Sequence, residues 1–175
     1  MTIQKLVKEL DISTKTIYKY FADKEDLLEQ CLLVHYKLLS ENLSALQDSP
    51  INPVATLCKM WEGALELDFG VNHIFYHDLN YYYPKMQDMI LNKTVRKNPA
   101  ILLNLVEDAI RKGYFRKDTN PQIALAVMET LYVTICRTDT FKHIKVKPEL
   151  ILQNTMEPYL RGLCTAKGLN VFERK

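Results

Sequence analysis

Residues 11–24 read DISTKTIYKYFADK. Ser13 is a good N-cap, and beyond it Ile17 and Phe21 lie four apart, on one face of a short helix. Thr14, Lys15, Thr16, Tyr18, Lys19 and Tyr20 fill the other positions with hydroxyls and ammonium groups. Such a helix anchors by one face and offers hydrogen bonds and charge on the other. Upstream, Ile3, Leu6, Val7 and Leu10 repeat at i, i+3, i+4 and i+7, a second short helix that Thr2 can cap. Two short helices about a tight turn form a helix-turn-helix, whose second member fits the major groove of DNA. Many helical proteins contain such a pair without touching DNA, so the side chains matter more than the geometry.

Working outward, Asp23 opens a third helix, with Glu25 and Asp26 in the first turn, where the helix dipole favours acids. Its apolar face runs through Leu27, Leu28, Cys31, Leu32, His35, Leu38 and Leu39 toward Pro50. Asn52-Pro53, Asn98-Pro99 and Asn120-Pro121 each join an N-cap residue to a proline at N1. Pro84 and Pro148 can open helices in the same way, and Gly113 closes the helix that holds Leu102, Leu105, Val106 and Ala109. No run alternates long enough to make a strand. The chain reads as all-α, about eight helices with short connections. Residues 1–24 read as short helices about a tight turn and residues 25–175 as longer ones, meeting inside a continuous helical stretch.

Composition narrows the class. The 175 residues carry 23 basic and 21 acidic side chains, a net charge of +2, and 47% are hydrophobic. That balance excludes wholesale disorder, and bulk charge gives no hint of a nucleic-acid partner. Local charge does: residues 1–24 hold five lysines (5, 8, 15, 19, 24) against three acids (9, 11, 23). Four cysteines stand far apart without a C-x-x-C pair, so neither a zinc framework nor a redox motif is indicated. With no membrane-length apolar run and no signal peptide, the expected location is the cytoplasm.

The run from Ile12 to Leu27 resembles the TetR-family signature V-S-x-x-T-[LI]-Y-x-[YH]-F-x-x-K-E-x-L. Phe75-Tyr76-His77-Asp78-Leu79 with Tyr82-Tyr83-Pro84, and Gly113-Tyr114-Phe115-Arg116 with Asn120-Pro121, are similar to stretches of the family's regulatory domains. The resemblance implies an all-α homodimeric transcriptional regulator, usually a repressor, that binds a palindromic operator in double-stranded DNA. It implies a helix-turn-helix DNA-binding region at 1–28 and a ligand-binding and dimerisation domain at 29–175, in which a small-molecule effector would alter the spacing of the two reading heads. Carried onto this chain, Thr2 and Gln4 meet the backbone or a base edge, and Thr14, Lys15 and Thr16 lie closest to the bases. Tyr18 and Lys19 reach bases or phosphates, and Tyr20 and Lys24 clamp phosphates. The family's turn usually has Gly where this chain has Asp11, a residue that tolerates the left-handed conformation. Family heads also carry a helix of about fifteen residues ahead of the motif. The chain is therefore expected to continue upstream of Met1, with a late start or a degenerate head as alternatives.

In the C-terminal part, helix 121–138 is apolar almost all round, through Ile123, Leu125, Met128, Leu131, Val133 and Ile135. Such a helix needs cover on two sides, which a second copy can supply, with helix 148–166 and its Gly162 beside it. Met60, Trp61, Phe75, Tyr76 and Tyr82 are candidates to line an effector pocket, with ordinary core packing as the alternative for each. His73 and His77, with Asp78 adjacent, have metal-ligand spacing but no third fixed ligand, so no metal site is assigned. No nucleophile elbow, phosphate loop or paired-carboxylate motif is present, so neither an enzyme nor a cofactor is expected. The competing readings are a helical dimeric ligand-binding module whose DNA head is lost, and a metal sensor using the two histidines.

Overall fold

The computed structural model describes residues 2–47, 52–94 and 100–173, so Pro50 and Asn98-Pro99 lie outside the described residues. Eleven helical segments follow in order: α1 Ile3–Glu9, α2 Thr14–Tyr20, α3 Lys24–Gln47, α4 Pro53–Asp68, α5 His73–Tyr82, α6 Pro84–Lys93, α7 Ala100–Arg111, α8 Pro121–Arg137, α9 Pro148–Asn154, α10 Met156–Leu163 and α11 Ala166–Leu169. The fold is all-α. Among the described residues the one extended pairing is an isolated antiparallel bridge between Phe115 and Cys164.

Helix starts follow the Asn-Pro logic. Asn52 Oδ1 accepts from the Ala55 amide at 2.9 Å, and Asn120 Oδ1 accepts from the Gln122 and Ile123 amides at 3.0 Å. Each satisfies a donor that the first helical turn leaves free, while the proline at N1 has no N–H to lose. Gly113 closes α7 at φ 72°, and the next amide, of Tyr114, donates back to the Ala109 carbonyl at 2.8 Å.

The expected helix over 148–166 is two helices and a short third. Proline at 158 would drive its ring into the carbonyl of residue 154 in a continuous helix. The chain breaks at Thr155, whose hydroxyl donates to the Ile151 carbonyl at 2.7 Å. This break, the break at residues 70–72 that separates α5 from α4, and the small α11 raise the count above the eight expected. Helix α11 is clamped to the end of α7. Thr165 Oγ1 donates to the Gly113 carbonyl at 2.7 Å, and a Cβ on Gly168 would sit 2.2 Å from the Tyr114 carbonyl oxygen.

Helix α4 is the centre of the bundle. Its Val54, Leu57 and Trp61 pack with Val106 of α7, Met128 of α8 and Leu160 of α10. Its Ala64 packs in a second cluster with Leu32 and Tyr36 of α3 and with Tyr76 and Leu79 of α5. Helix α8 buries Ala124, Met128, Ile135 and Cys136 but leaves Ile123 64% and Val133 45% exposed. One side of this apolar helix is in the core, and the other faces outward.

Candidate DNA-binding head and regulatory cavities

The head is built by local hydrogen bonds. Ser13 Oγ accepts from the Thr16 amide at 3.0 Å to start α2, and Thr2 Oγ1 accepts from the Lys5 amide at 3.3 Å to start α1. Asp11 adopts φ 51°, the left-handed position of the turn. At the next corner Asp23 Oδ1 accepts from the Asp26 amide at 2.8 Å, while Asp26 Oδ2 accepts from the Ala22 amide at 2.9 Å. This reciprocal pair fixes the angle between α2 and α3 and the point where Lys24 emerges.

Ile17 is buried at 4% exposure and anchors α2, with Phe21 half-buried behind it. Thr2, Gln4, Thr14, Lys15, Thr16, Tyr18, Lys19, Tyr20 and Lys24 are all exposed. The Thr16 hydroxyl shares a 2.8 Å hydrogen bond with Ser13, and Lys19 Nζ lies 5.3 Å from the centre of the Tyr20 ring. The sequence-derived residues of the head therefore form an exposed surface on α1, α2 and the first turn of α3.

Sequence reasoning missed the most concentrated chemistry in the bundle. Asp68, the last residue of α4, is completely buried and collects donors from three other helices. His35 Nε2 of α3 lies 2.5 Å from its Oδ1, which also accepts from the Tyr76 hydroxyl of α5 at 2.8 Å. On Oδ2 it accepts from Arg137 of α8, at 3.2 Å from Nε and 3.1 Å from Nη2, and from the Tyr132 hydroxyl. The Arg137 guanidinium lies 4.9, 5.5 and 5.7 Å from the ring centres of Tyr76, Tyr132 and Tyr36. Burial alone would push the Asp68 carboxyl up. The His35 contact, the Arg137 charge and the two hydroxyls outweigh it and hold the carboxyl at about 2. Burial, and then the Asp68 charge, push the Tyr76 and Tyr132 hydroxyls up, so both remain donors. A signal was present in the sequence: Leu57, Trp61, Ala64 and Asp68 share one helical stripe, and an acid on a core stripe requires partners.

Two cavities lie in the bundle, and the smaller borders this network through His35 and Tyr76. The smaller, about 250 Å³, is lined by Cys31, Leu32 and His35 of α3 and by Val71, Phe75 and Tyr76. The larger is a groove of about 560 Å³ between α4 and the α9–α10 pair. The five pocket candidates do not share a cavity. Trp61 lines the groove, and Phe75 and Tyr76 line the smaller cavity. Met60 is buried and lines neither, and Tyr82 is 66% exposed with its ring edge-on to Tyr81. His77 Nδ1 lies 3.6 Å from Asp78 Oδ1 and its ring stacks on Tyr81. Among the described residues no three His, Cys, Asp or Glu side chains are grouped to hold a metal ion. Nor is any described helix long and apolar enough to cross a membrane.

An exposed helix-turn-helix leads through one long helix into an all-α bundle. Residues 1–31 match the family described as bacterial regulatory proteins, tetR family. The fold is similar to the ketosteroid transcriptional regulator KstR2 of Mycobacterium tuberculosis, at TM-score 0.71 and 16% identity, over 94% of this chain and 85% of that one. It is also similar to a transcriptional regulator TetR family protein from Vibrio parahaemolyticus, at TM-score 0.54 and 19% identity, over 94% and 88% of the two chains. No curated protein matches the chain. Residues 1–31 thus carry a tetR-family head, set on an all-α frame whose fold is similar to those of solved transcriptional regulators.

Proposed function

We propose that the protein is a homodimeric, ligand-responsive repressor that binds a palindromic operator with α2 in the major groove. The observation that carries the reading is the division of labour on α2: Ile17 is buried, while Thr14, Lys15, Thr16, Tyr18, Lys19 and Tyr20 are exposed. Thr14, Lys15 and Thr16, at the N-terminal end of α2, read base edges, and Tyr18 and Lys19 reach bases or phosphates. Tyr20 and Lys24 grip phosphates, and Thr2 and Gln4 support them from α1.

The proposed division is a DNA-binding region at 1–28 and a regulatory domain at 29–175, joined within α3. Dimerisation through α8 and the α9–α10 pair is supported by three exposed apolar side chains: Ile123, Val133 and Leu150. A two-fold dimer presents two α2 helices, which is the physical reason for a palindromic target. Ligand response is supported by the two cavities, the smaller of them lined by His35 and Tyr76 of the Asp68 network, which ties the α3 leaving the head to α4, α5 and α8.

The test is selection of bound DNA from a random pool, followed by titration at several salt concentrations. Lys24→Ala and Tyr20→Phe weaken binding to every sequence, and Lys24→Ala lowers the salt slope by about one. Thr14→Ala and Lys15→Ala change which sequence is preferred. Binding unchanged by all four substitutions would remove α2 from the groove. A chain that dimerises and binds ligand without salt-dependent DNA binding is instead a helical ligand-binding module.

A further inference from the structure

The larger groove has a charge pattern that the rest of the molecule does not predict. Its floor is apolar: Trp61, Leu65 and Phe69 of α4 and its C-cap, facing Leu152, Met156 and Leu160. Its rim carries Glu62 and Glu66 on one side and Glu149 and Glu157 on the other, and no Lys or Arg lines it. The chain as a whole is net positive, so this acidic rim is a local arrangement. Glu157 is paired with Arg161 at 2.8 Å. Glu149 sits in the first turn of α9, where the helix dipole accommodates an acid. Glu66 has no such reason to be there. It stands exposed in the last turn of α4, a turn with no basic residue of its own, although the Lys142 ammonium donates to the carbonyl of the C-cap Phe69 at 2.5 Å.

We propose that the groove between α4 and α9–α10 binds an organic cation with an apolar body. The floor removes the apolar body from water, and the aromatic face of Trp61 adds attraction for a positive charge, the Phe69 ring being already covered by the Lys142 ammonium at 3.7 Å. The Glu66 and Glu149 carboxylates select the sign of that charge. A volume of about 560 Å³ suits a small molecule of drug size. This inference rests on the ligand-responsive reading above and names the chemical class of the ligand.

Trp61 is the sole tryptophan, so its fluorescence reports on the groove directly. The probes are tetraphenylphosphonium and tetraphenylborate, which have the same shape and opposite charge. The full chain is expected to show saturable, one-per-chain quenching of Trp61 by the cation, with the borate weaker by about tenfold. Glu66→Gln and Glu149→Gln each weaken the cation by about threefold and leave the borate unchanged or tighter. Equal or tighter binding of the borate by the parent protein overturns the proposal, as does cation binding indifferent to both substitutions. Failure of both probes to change Trp61 also overturns it. Cation binding with these signatures but no change in affinity for the selected DNA upholds the groove and defeats only the ligand-response reading. DNA release by the cation without any change at Trp61 places the effector elsewhere and overturns the groove.

Discussion

His35 Nε2 lies 2.5 Å from Asp68 Oδ1, joining the long helix that leaves the head to the helix at the centre of the bundle. The same carboxylate holds Tyr76, Tyr132 and Arg137, so one buried anion fixes the relative positions of α3, α4, α5 and α8. A buried charge is tolerated only with such saturation, and removing one member strands the rest.

Asp68→Ala is therefore expected to destabilise the protein by about 3–5 kcal/mol, because Arg137 is left buried without its counter-charge. Urea unfolding monitored by circular dichroism measures it. A loss below about 1 kcal/mol would show that water replaces the carboxylate at little cost.

The same group sets an acid limb. Its folded value of about 2 lies below the ordinary value for aspartate of about 3.9. A depressed carboxyl contributes stability that is full above about pH 4 and is lost as pH falls toward about 2. The loss attributable to Asp68 amounts to about 2–3 kcal/mol. Asp68→Asn should flatten the stability profile in that window. An unchanged slope between pH 4 and 2 would assign the acid limb to other carboxylates.

Two glycines give opposite expectations. Gly168→Ala places a Cβ 2.2 Å from the Tyr114 carbonyl, so α11 must shift, at about 1–3 kcal/mol. Gly63, inside α4, has open space where a Cβ would stand, with nothing within 4 Å, and Gly63→Ala should gain about 0.5–1 kcal/mol of helix propensity. Thermal midpoints of the two variants should move in opposite directions.

The outward face of α8 predicts an assembly. Ile123→Glu combined with Val133→Glu should halve the sedimenting mass while the helical spectrum persists, because both side chains are exposed within the protomer. Sedimentation of the parent chain as a monomer would remove the dimer before any substitution is made.

Cysteine labelling separates surface from core. Burial, followed by the Asp68 charge, pushes the Cys136 thiol up to about 12, so it should resist iodoacetamide at pH 8 until the protein unfolds. Cys31 is exposed beside the smaller cavity and should react in the folded protein. Mass spectrometry of the peptides distinguishes them.

How much of this was legible in the sequence depended on whether the signal was local. Caps at Ser13, Asn52 and Asn120 and the terminating Gly113 act within a few residues, and sequence spacing exposes them, whereas the left-handed Asp11 was legible only through the family resemblance. Pro158 is also local, yet its clash falls four residues upstream, which hides the break at Thr155 from an apolar-period reading. The Asp68 network joins residues 35, 68, 76, 132 and 137, contacts that only the folded chain brings together. Helical periodicity counts apolar residues, so a charged residue on a core stripe passes as noise. The pocket candidates failed to converge for a related reason: richness in aromatics at 69–83 does not fix which way each ring points, and Tyr82 faces solvent.

Helix α3 is 24 residues long, and a helix rises about 1.5 Å per residue, so it is a rod of about 36 Å. The eleven steps from Lys24 to His35 make an arm of about 16 Å beyond the point where Asp68 holds it. A tilt of about 5° at that fulcrum carries the near end of the rod about 1.4 Å, and two symmetric tilts in a dimer change the separation of the heads by up to twice that. Contacts to base edges are decided within a few tenths of an ångström. In the proposed dimer, loosening the one part-buried contact at His35 is thus geared up, by length alone, into a mismatch between the two heads and their half-sites.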